Sequence, residues 1–220
     1  MKALALIGAL LAATAALVVA QSRQFNIGNN VQPQDLHVML VLDTTGSMQP
    51  VLNSARAGAA HLIGQLQAQA KGGVVRIGLV AYRDQGETYI TRQCPSDRPE
   101  QLSSCLSGLT TGGGGDVPEA VLEGLQRATE GLNGAAPGSR KAIVLVGDAP
   151  GHRASTEAIN ALVQSNARSG IVTHTLQWGD HGATALQWQN FARLGKGRHA
   201  QLSAYLPDFG PKVIELLSAQ

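Results

Sequence analysis

Leu36–Leu42 reads LHVMLVL, apolar at every position but one, and Asp43 ends it. A strand with one face in water alternates apolar and polar side chains. A run without that alternation needs cover on both faces, as a strand inside a parallel sheet has. Similar runs recur at Val74–Tyr82, Lys141–Val146 and Ile171–Leu176, with a shorter strand expected at Arg198–Leu202. Between them lie helical spacings. Met48–Ala70 carries Val51, Leu52, Ala55, Ala59, Leu62, Ile63 and Leu66, and helices are also expected at Ser155–Ser169, Ala183–Leu194 and Pro207–Ser218. Val117–Leu132 reads as a helix opened by a capping box of Asp116 and Glu119, with Pro118 in its first turn. Arg83–Thr111 is irregular, with a short strand expected at Thr88–Thr91 and a helical turn near Glu100–Leu106. Strands alternating with helices of this length imply an α/β fold of three layers, a doubly wound, mainly parallel sheet with helices on both faces.

A chain of 220 residues, 44% of them hydrophobic, can bury one sizeable core, so residues 36–220 are expected to form a single domain. The first twenty residues differ: Lys2 is followed by an apolar run from Ala3 to Ala20, ending Val18-Val19-Ala20 before Gln21. Residues 1–20 therefore read as an export signal, placing the mature chain in a periplasm or outside the cell. The alternative is an uncleaved anchor, because 18 apolar residues reach the short end of the roughly 17–25 that span a bilayer. Only in that case is the membrane a partner. Residues 21–35 read as a polar linker.

In an exported chain the two cysteines, Cys94 and Cys105, are expected to form a disulfide worth about 3 kcal/mol. Two free thiols are the alternative, and no CxxC spacing supports a cysteine metal site. Lys and Arg number 17 against 15 Asp and Glu, with no basic stripe or aromatic interleaving, so nucleic acid is not an expected partner.

In an open α/β sheet, ligands sit beyond the carboxyl ends of the strands. Three segments deliver oxygen donors there: Asp43-Thr44-Thr45-Gly46-Ser47 after the first strand, Asp148 after the fourth, and a loop carrying Thr110, Thr111, four glycines and Asp116. A carboxylate followed at +2 and +4 by hydroxyls can wrap one cation, and Gly46 permits the tight path. Two hydroxyls, one or two carboxylates and water suit Mg²⁺, with Mn²⁺ or Ca²⁺ as substitutes; no soft-ligand cluster suggests zinc. Each residue also has a local explanation without metal, Ser47 as the cap of a helix beginning at Met48 and Asp116 as a helix cap. Thr110 and Thr111 are alternate donors, and Thr44 is expected to face away.

Through DTTGS, TTGGGGDVPEA and LVGDAP the chain resembles the von Willebrand factor type A family, over roughly residues 36–218. That family's metal-ion-dependent adhesion site has the pattern Asp-x-Ser/Thr-x-Ser after the first strand. The resemblance implies a Rossmann-like sheet and gives metal-ligand roles to Asp43, Thr45, Ser47 and Asp148. Many members place a Thr where this chain has Asp116. As a ligand, Asp116 would hold the metal more tightly while blunting its attraction for an acidic partner. YRD at Tyr82–Asp84, GGGDVPEA and DAPGH look similar to the branch of hemicentin and of the alpha-kinases that carry such a domain.

The expected function is metal-dependent binding of another protein, whose Glu, Asp or C-terminal carboxylate fills an open coordination position. The rival is a Mg²⁺-dependent phosphatase with Asp43 as nucleophile, but such enzymes carry a second Asp at +2 as general acid, and this chain has Thr45. A serine-hydrolase elbow and a P-loop are both missing. A metal-free structural domain is a third reading. Around the site, His152 reads as a solvated loop residue or a rim contact, Arg83 and Asp84 as a mutual pair or partner contacts, Trp188 as core, and Trp178 as buried or exposed to a partner.

Overall fold

In the computed structural model, residues 32–94, 98–115, 117–203, 205 and 207–218 are described. The expected export signal and most of the linker lie outside them, as does Asp116. The elements run β1 (Leu36–Asp43), α1 (Gln49–Gln69), β2 (Val75–Tyr82), β3 (Thr91–Cys94), α2 (Gln101–Gly108), α3 (Val121–Leu132), β4 (Arg140–Gly147), α4 (Thr156–Arg168), β5 (Ile171–Gln177), α5 (Gly182–Leu194), β6 (Lys196–Gln201) and α6 (Phe209–Ser218). Single 3₁₀ turns at Gly46–Met48 and Arg153–Ser155 lead into α1 and α4. Among the described residues no helix is long and apolar enough to cross a membrane.

The six strands form one sheet in the order β3-β2-β1-β4-β5-β6, parallel throughout except for β3. β1 lies between β2 and β4 and is buried along all eight residues, which is why its sequence shows no alternation. Its side chains still divide by parity. Val38, Leu40 and Leu42 join Ile77, Leu79, Val144 and Val146 under α1, α2 and α6, while Met39 and Val41 join Val80, Ile143 and Leu145 under α3, α4 and α5. Two apolar cores thus sandwich the sheet. Trp188 and Phe191 of α5 are fully buried in the second. Gln34 and Asp35, just before β1, already bond into the fold, through Gln34 N–H to Ala70 O and Arg140 N–H to Asp35 O.

Two local expectations are corrected. The helix at Val117–Leu132 begins at Val121, because the amides before it are committed elsewhere: Glu119 N–H donates to Pro150 O at 2.9 Å and Ala120 N–H to Arg83 O at 3.1 Å. The Asp116–Glu119 capping box therefore does not open it. The short strand expected at Thr88–Thr91 forms at Thr91–Cys94, antiparallel to β2 on the sheet edge. Cys94, its last residue, is disulfide-bonded to Cys105 of α2, as expected.

Candidate functional site

β1 sets the site because its last residue, Asp43, is carried on the central strand to the carboxyl edge, where it is completely buried. The chain then turns. Thr44 donates both its N–H (2.9 Å) and its hydroxyl (3.0 Å) to Tyr82 O. Its single hydroxyl proton being used there, Tyr89 donates to Thr44 Oγ1 at 2.8 Å, so Thr44 faces away from the site as expected. Thr45 folds back onto Asp43, whose Oδ1 accepts from Thr45 N–H at 2.8 Å and from Thr45 Oγ1 at 2.7 Å. Ser47 Oγ is 3.4 Å from Thr45 Oγ1. Ser47 is exposed and caps no helix; α1 starts after Met48 without a side-chain cap.

The glycine loop presses onto this turn. Gly112 N–H donates to Thr44 O at 3.1 Å and Gly46 N–H to Gly113 O at 3.3 Å. Gly113 and Gly114 have φ of 72° and 76°, and a Cβ on Gly114 would stand 2.9 Å from Thr45 Cβ, so the approach requires glycine. Glu87 secures the loop by accepting from Gly114 N–H at 2.9 Å. Thr111 spends its hydroxyl on Gln49 at 2.6 Å, and Thr110 O takes the Arg83 guanidinium at 2.7 Å.

Thr45, Ser47 and Asp148 share the lining of a pocket of about 290 Å³ with Gly114, Val117, Glu119, Ala149, Pro150, His181, Ala183 and Thr184. Thr184 fixes the Asp148 backbone by donating to its carbonyl at 3.1 Å. Gly147 is the hinge between Asp148 and Asp43: a Cβ there would come 2.9 Å from Asp43 Cβ and 2.7 Å from Tyr82 Oη. Sequence reasoning missed Glu119, which it assigned to a helix cap; the side chain is buried and lines the pocket. The signal available was a carboxylate four residues beyond the glycine run.

Asp43 shows the electrostatic cost of the arrangement. Its Oδ2 is buried and accepts no hydrogen bond. Burial, reinforced by the negative charge of Asp148, pushes its pKa up to about 7 against the opposing Thr45 bonds and the Arg83 charge. Burial also drives the Tyr82 phenol well above its ordinary value, with Asp43, Glu119 and Asp148 adding to the effect. Among the described residues, no three His, Cys, Asp or Glu side chains come together as a metal site, so a cation here would rely on hydroxyl donors as well as carboxylates. Two hydroxyls, Asp148 and a carboxylate oxygen left without a partner are hard donors that fit a divalent ion.

Neighbouring residues pair differently from expectation. Asp84 bonds His152, with Nε2 to Oδ1 at 2.6 Å, joining the loops after β2 and β4. Arg83 lies over the Tyr89 ring, 4.6 Å from its centroid, and does not pair with Asp84. Trp188 is core, and Trp178 is half-buried against the first core.

Among solved structures, the chain is similar to the conserved hypothetical protein BatB from Bacteroides thetaiotaomicron, with 16% identity, a TM-score of 0.61, and coverage of 84% of this chain and 97% of that one. It is also similar to the pilus adhesin SpaC from Lactobacillus rhamnosus GG in its open conformation, with 16% identity and a TM-score of 0.62 over 84% of this chain and 29% of the adhesin. The VWA domain of SpRpn10 shares 11% identity at a TM-score of 0.62, over 83% and 94% of the two chains. No curated protein matches the sequence. Identities this low show the fold alone. The von Willebrand factor A domain model matches residues 37–185, which include β1, the glycine loop and Asp148, and the chain belongs to that family.

Proposed function

We propose that this domain binds another protein through one divalent cation, Mg²⁺ or its substitutes Mn²⁺ and Ca²⁺, held by Asp43, Thr45, Ser47 and Asp148. Asp116 is proposed as a further ligand on sequence grounds. The observation that carries this reading is Asp43 Oδ2, a buried carboxylate oxygen without a hydrogen bond, on a side chain whose other oxygen accepts from the Thr45 hydroxyl. Leaving such a charge uncompensated is costly, and an ion would compensate it. When bound, the ion supplies a Lewis-acid position for an oxygen of the partner. The protein's own part is orientation: Thr45 fixes Asp43 through two bonds, and the glycine loop holds Thr44–Gly46 in place. Membership of the family supports a protein-interaction role. We also propose that the chain is exported, to a periplasm or the exterior, from the character of residues 1–20.

The phosphatase reading is disfavoured by accessibility. A nucleophile must meet its substrate, and Asp43 is fully buried, with its Oδ1 occupied by Thr45. Thermal unfolding of the purified protein with Mg²⁺, Mn²⁺ or chelator tests the proposal. An ion at one hundred times its Kd stabilises the folded state by about 2.7 kcal/mol, a rise in Tm of roughly 5–10 °C. Asp43→Ala removes the rise. A wild-type Tm indifferent to all three additions rules out the metal site, and phosphate-ester hydrolysis lost in Asp43→Ala would favour the enzyme.

A further inference from the structure

Charge is divided unevenly between the two ends of the sheet. The parallel strands all begin at one edge, the amino edge, and α1, α3, α4, α5 and α6 end beside them. Lys71 and Arg76 lie where α1 passes into β2, and Arg140 and Lys141 open β4. Arg168 and Arg193 lie in the last turns of α4 and α5, and Lys196 and Arg198 in the first half of β6. All eight are exposed or half-buried. Their fields overlap: His37 and His174 have pKa values lowered chiefly by burial, but further by Arg76 and Lys141 at the one and by Arg198 and Arg140 at the other. Carboxylates gather at the opposite edge, with Asp43, Asp84 and Asp148 at or just beyond strand ends and Glu123 and Glu157 in the first turns of α3 and α4.

The basic charges are not cancelled locally. Among the described residues none of the eight forms an ion pair. Asp35, on the same edge, is committed to Val74 N–H at 2.8 Å, and Glu130 and Glu215 pair with Arg127 and Lys212 of their own helices. Lys141 donates to Ser169 O at 3.0 Å, Arg140 to Leu217 O at 2.7 Å and Arg198 to Leu216 O at 2.7 Å, so part of the charge faces helix carbonyl ends. At about half a negative charge per helix end, the helices offset less than half of it.

The chain enters the fold at this edge, through Gln34 and Asp35. In sequence, residues 21–33 separate that entry from the apolar run Ala3–Ala20, a length of chain reaching at most about 45 Å. The basic residues spread from β2 to β6, about 19 Å across four strand spacings, rather than lining one groove. Among the described residues no aromatic ring is exposed on this edge to stack on a base, and Val74, 49% exposed, is its large apolar side chain in solvent. A hollow of about 350 Å³ at the starts of β4 and β5 is lined by Gln34, Ser139, Arg140, Lys141 and Gly170, which is room for a phosphate headgroup.

We propose that the amino edge of the sheet docks on an anionic phospholipid surface. Diffuse basic charge beside one exposed apolar residue suits a fluid layer of phosphates, and each Lys or Arg near such a surface raises binding about 5-fold. The proposal rests on the export reading only for bringing the chain to a membrane. By sequence alone the membrane is a partner only through an uncleaved anchor; the basic edge adds a contact that survives cleavage. Docked this way, the domain turns its carboxyl edge, with the proposed metal position, away from the bilayer.

The test is co-sedimentation with vesicles of phosphatidylcholine alone or mixed with phosphatidylglycerol, in chelator so that no divalent ion bridges protein and lipid. The sheet, both cores and the disulfide lie within Pro33–Gln220, a compact unit by itself, so the chain from Gln21 is used and its fold checked by circular dichroism. Binding to the anionic vesicles is expected to be at least about 10-fold tighter than to phosphatidylcholine and to weaken as salt is raised. Lys71→Gln with Arg168→Gln, both exposed, should weaken it about 20-fold, whereas Arg92→Gln with Arg153→Gln, the same change of charge away from this edge, should alter it less than about 2-fold. Should the first pair fail to fold, Lys196→Gln with Arg193→Gln replaces it. Equal binding to the two kinds of vesicle, an equal loss in the two double variants, or tighter binding of duplex DNA than of anionic vesicles at the same salt overturns the inference. Because no metal is present, a failure here leaves the metal-dependent binding reading standing, and loss of that reading leaves this one.

Discussion

His174 offers a quantitative test of how the sheet is packed. It lies in β5, 1% exposed, and its Nδ1 accepts the Arg198 N–H at 3.2 Å. That bond requires a lone pair on Nδ1, so it holds only for the neutral ring. Burial, helped by the positive charges of Arg198 and Arg140, lowers the pKa to about 4 from its ordinary 6.5. Between these values the unfolded chain binds a proton that the folded chain refuses. Stability is therefore complete above about pH 6.5 and is lost as pH falls toward 4. At about 1.4 kcal/mol per pKa unit, the loss from pH 7.5 to 5.0 is about 2 kcal/mol, rising to about 3 kcal/mol at full protonation. His174→Asn keeps an acceptor for Arg198 and cannot titrate. Urea unfolding followed by tryptophan fluorescence should show the wild type losing about 2 kcal/mol more than this variant over that pH range, with equal m values. His37 and His199, whose pKa values are also lowered chiefly by burial, contribute equally to both proteins and cancel in the difference. Identical pH slopes for the two proteins would refute the reasoning.

Three further outcomes are expected. Gly147→Ala places a methyl 2.7 Å from Tyr82 Oη and 2.9 Å from Asp43 Cβ, and should cost about 1–3 kcal/mol in urea unfolding and abolish any metal-induced rise in Tm; an unchanged midpoint would contradict the packing. Asp43 has its folded pKa raised to about 7, so the metal-free wild type loses stability as pH rises from about 4 to about 7, by on the order of 4 kcal/mol at most. In chelator at pH 8, Asp43→Asn should melt above the wild type, and a lower Tm would count against a destabilising buried charge. Replacing Cys94 and Cys105 by serine opens a link spanning 11 positions and should cost about 2–3 kcal/mol, measured against the oxidised wild type; equal stabilities would mean that β3 is held by other contacts.

The central strands were legible because burial on both faces leaves only one pattern for β1, β2, β4 and β5 to show. The edges were harder to read. β3 is Thr-Arg-Gln-Cys and β6 is Lys-Gly-Arg-His-Ala-Gln, and their polar side chains reflect contact on one side only. The start of α3 was misread for a different reason. Asp116 and Glu119 have the spacing of a local cap, yet Glu119 N–H bonds Pro150, 31 positions along the chain, and no local rule anticipates that. The same misreading hid Glu119 as a wall of the pocket. Asp43, Thr45 and Ser47 could be picked out because their alternation follows a strand end in a short turn. The pairing of Asp84 with His152 depends on two loops meeting across the sheet edge and leaves no trace in either segment alone.

The sheet's two margins also bear on how copies of the chain behave at high concentration. A long, flat, apolar edge strand is a template on which a second copy can add its own strand. Here one margin is four residues long, runs against its neighbour and is tied back to a helix by Cys94–Cys105. The other carries Lys196 and Arg198 and slips register against β5 between Thr173 and Thr175. Neither offers a clean ladder. Both margins therefore disfavour strand addition by a second copy of the chain.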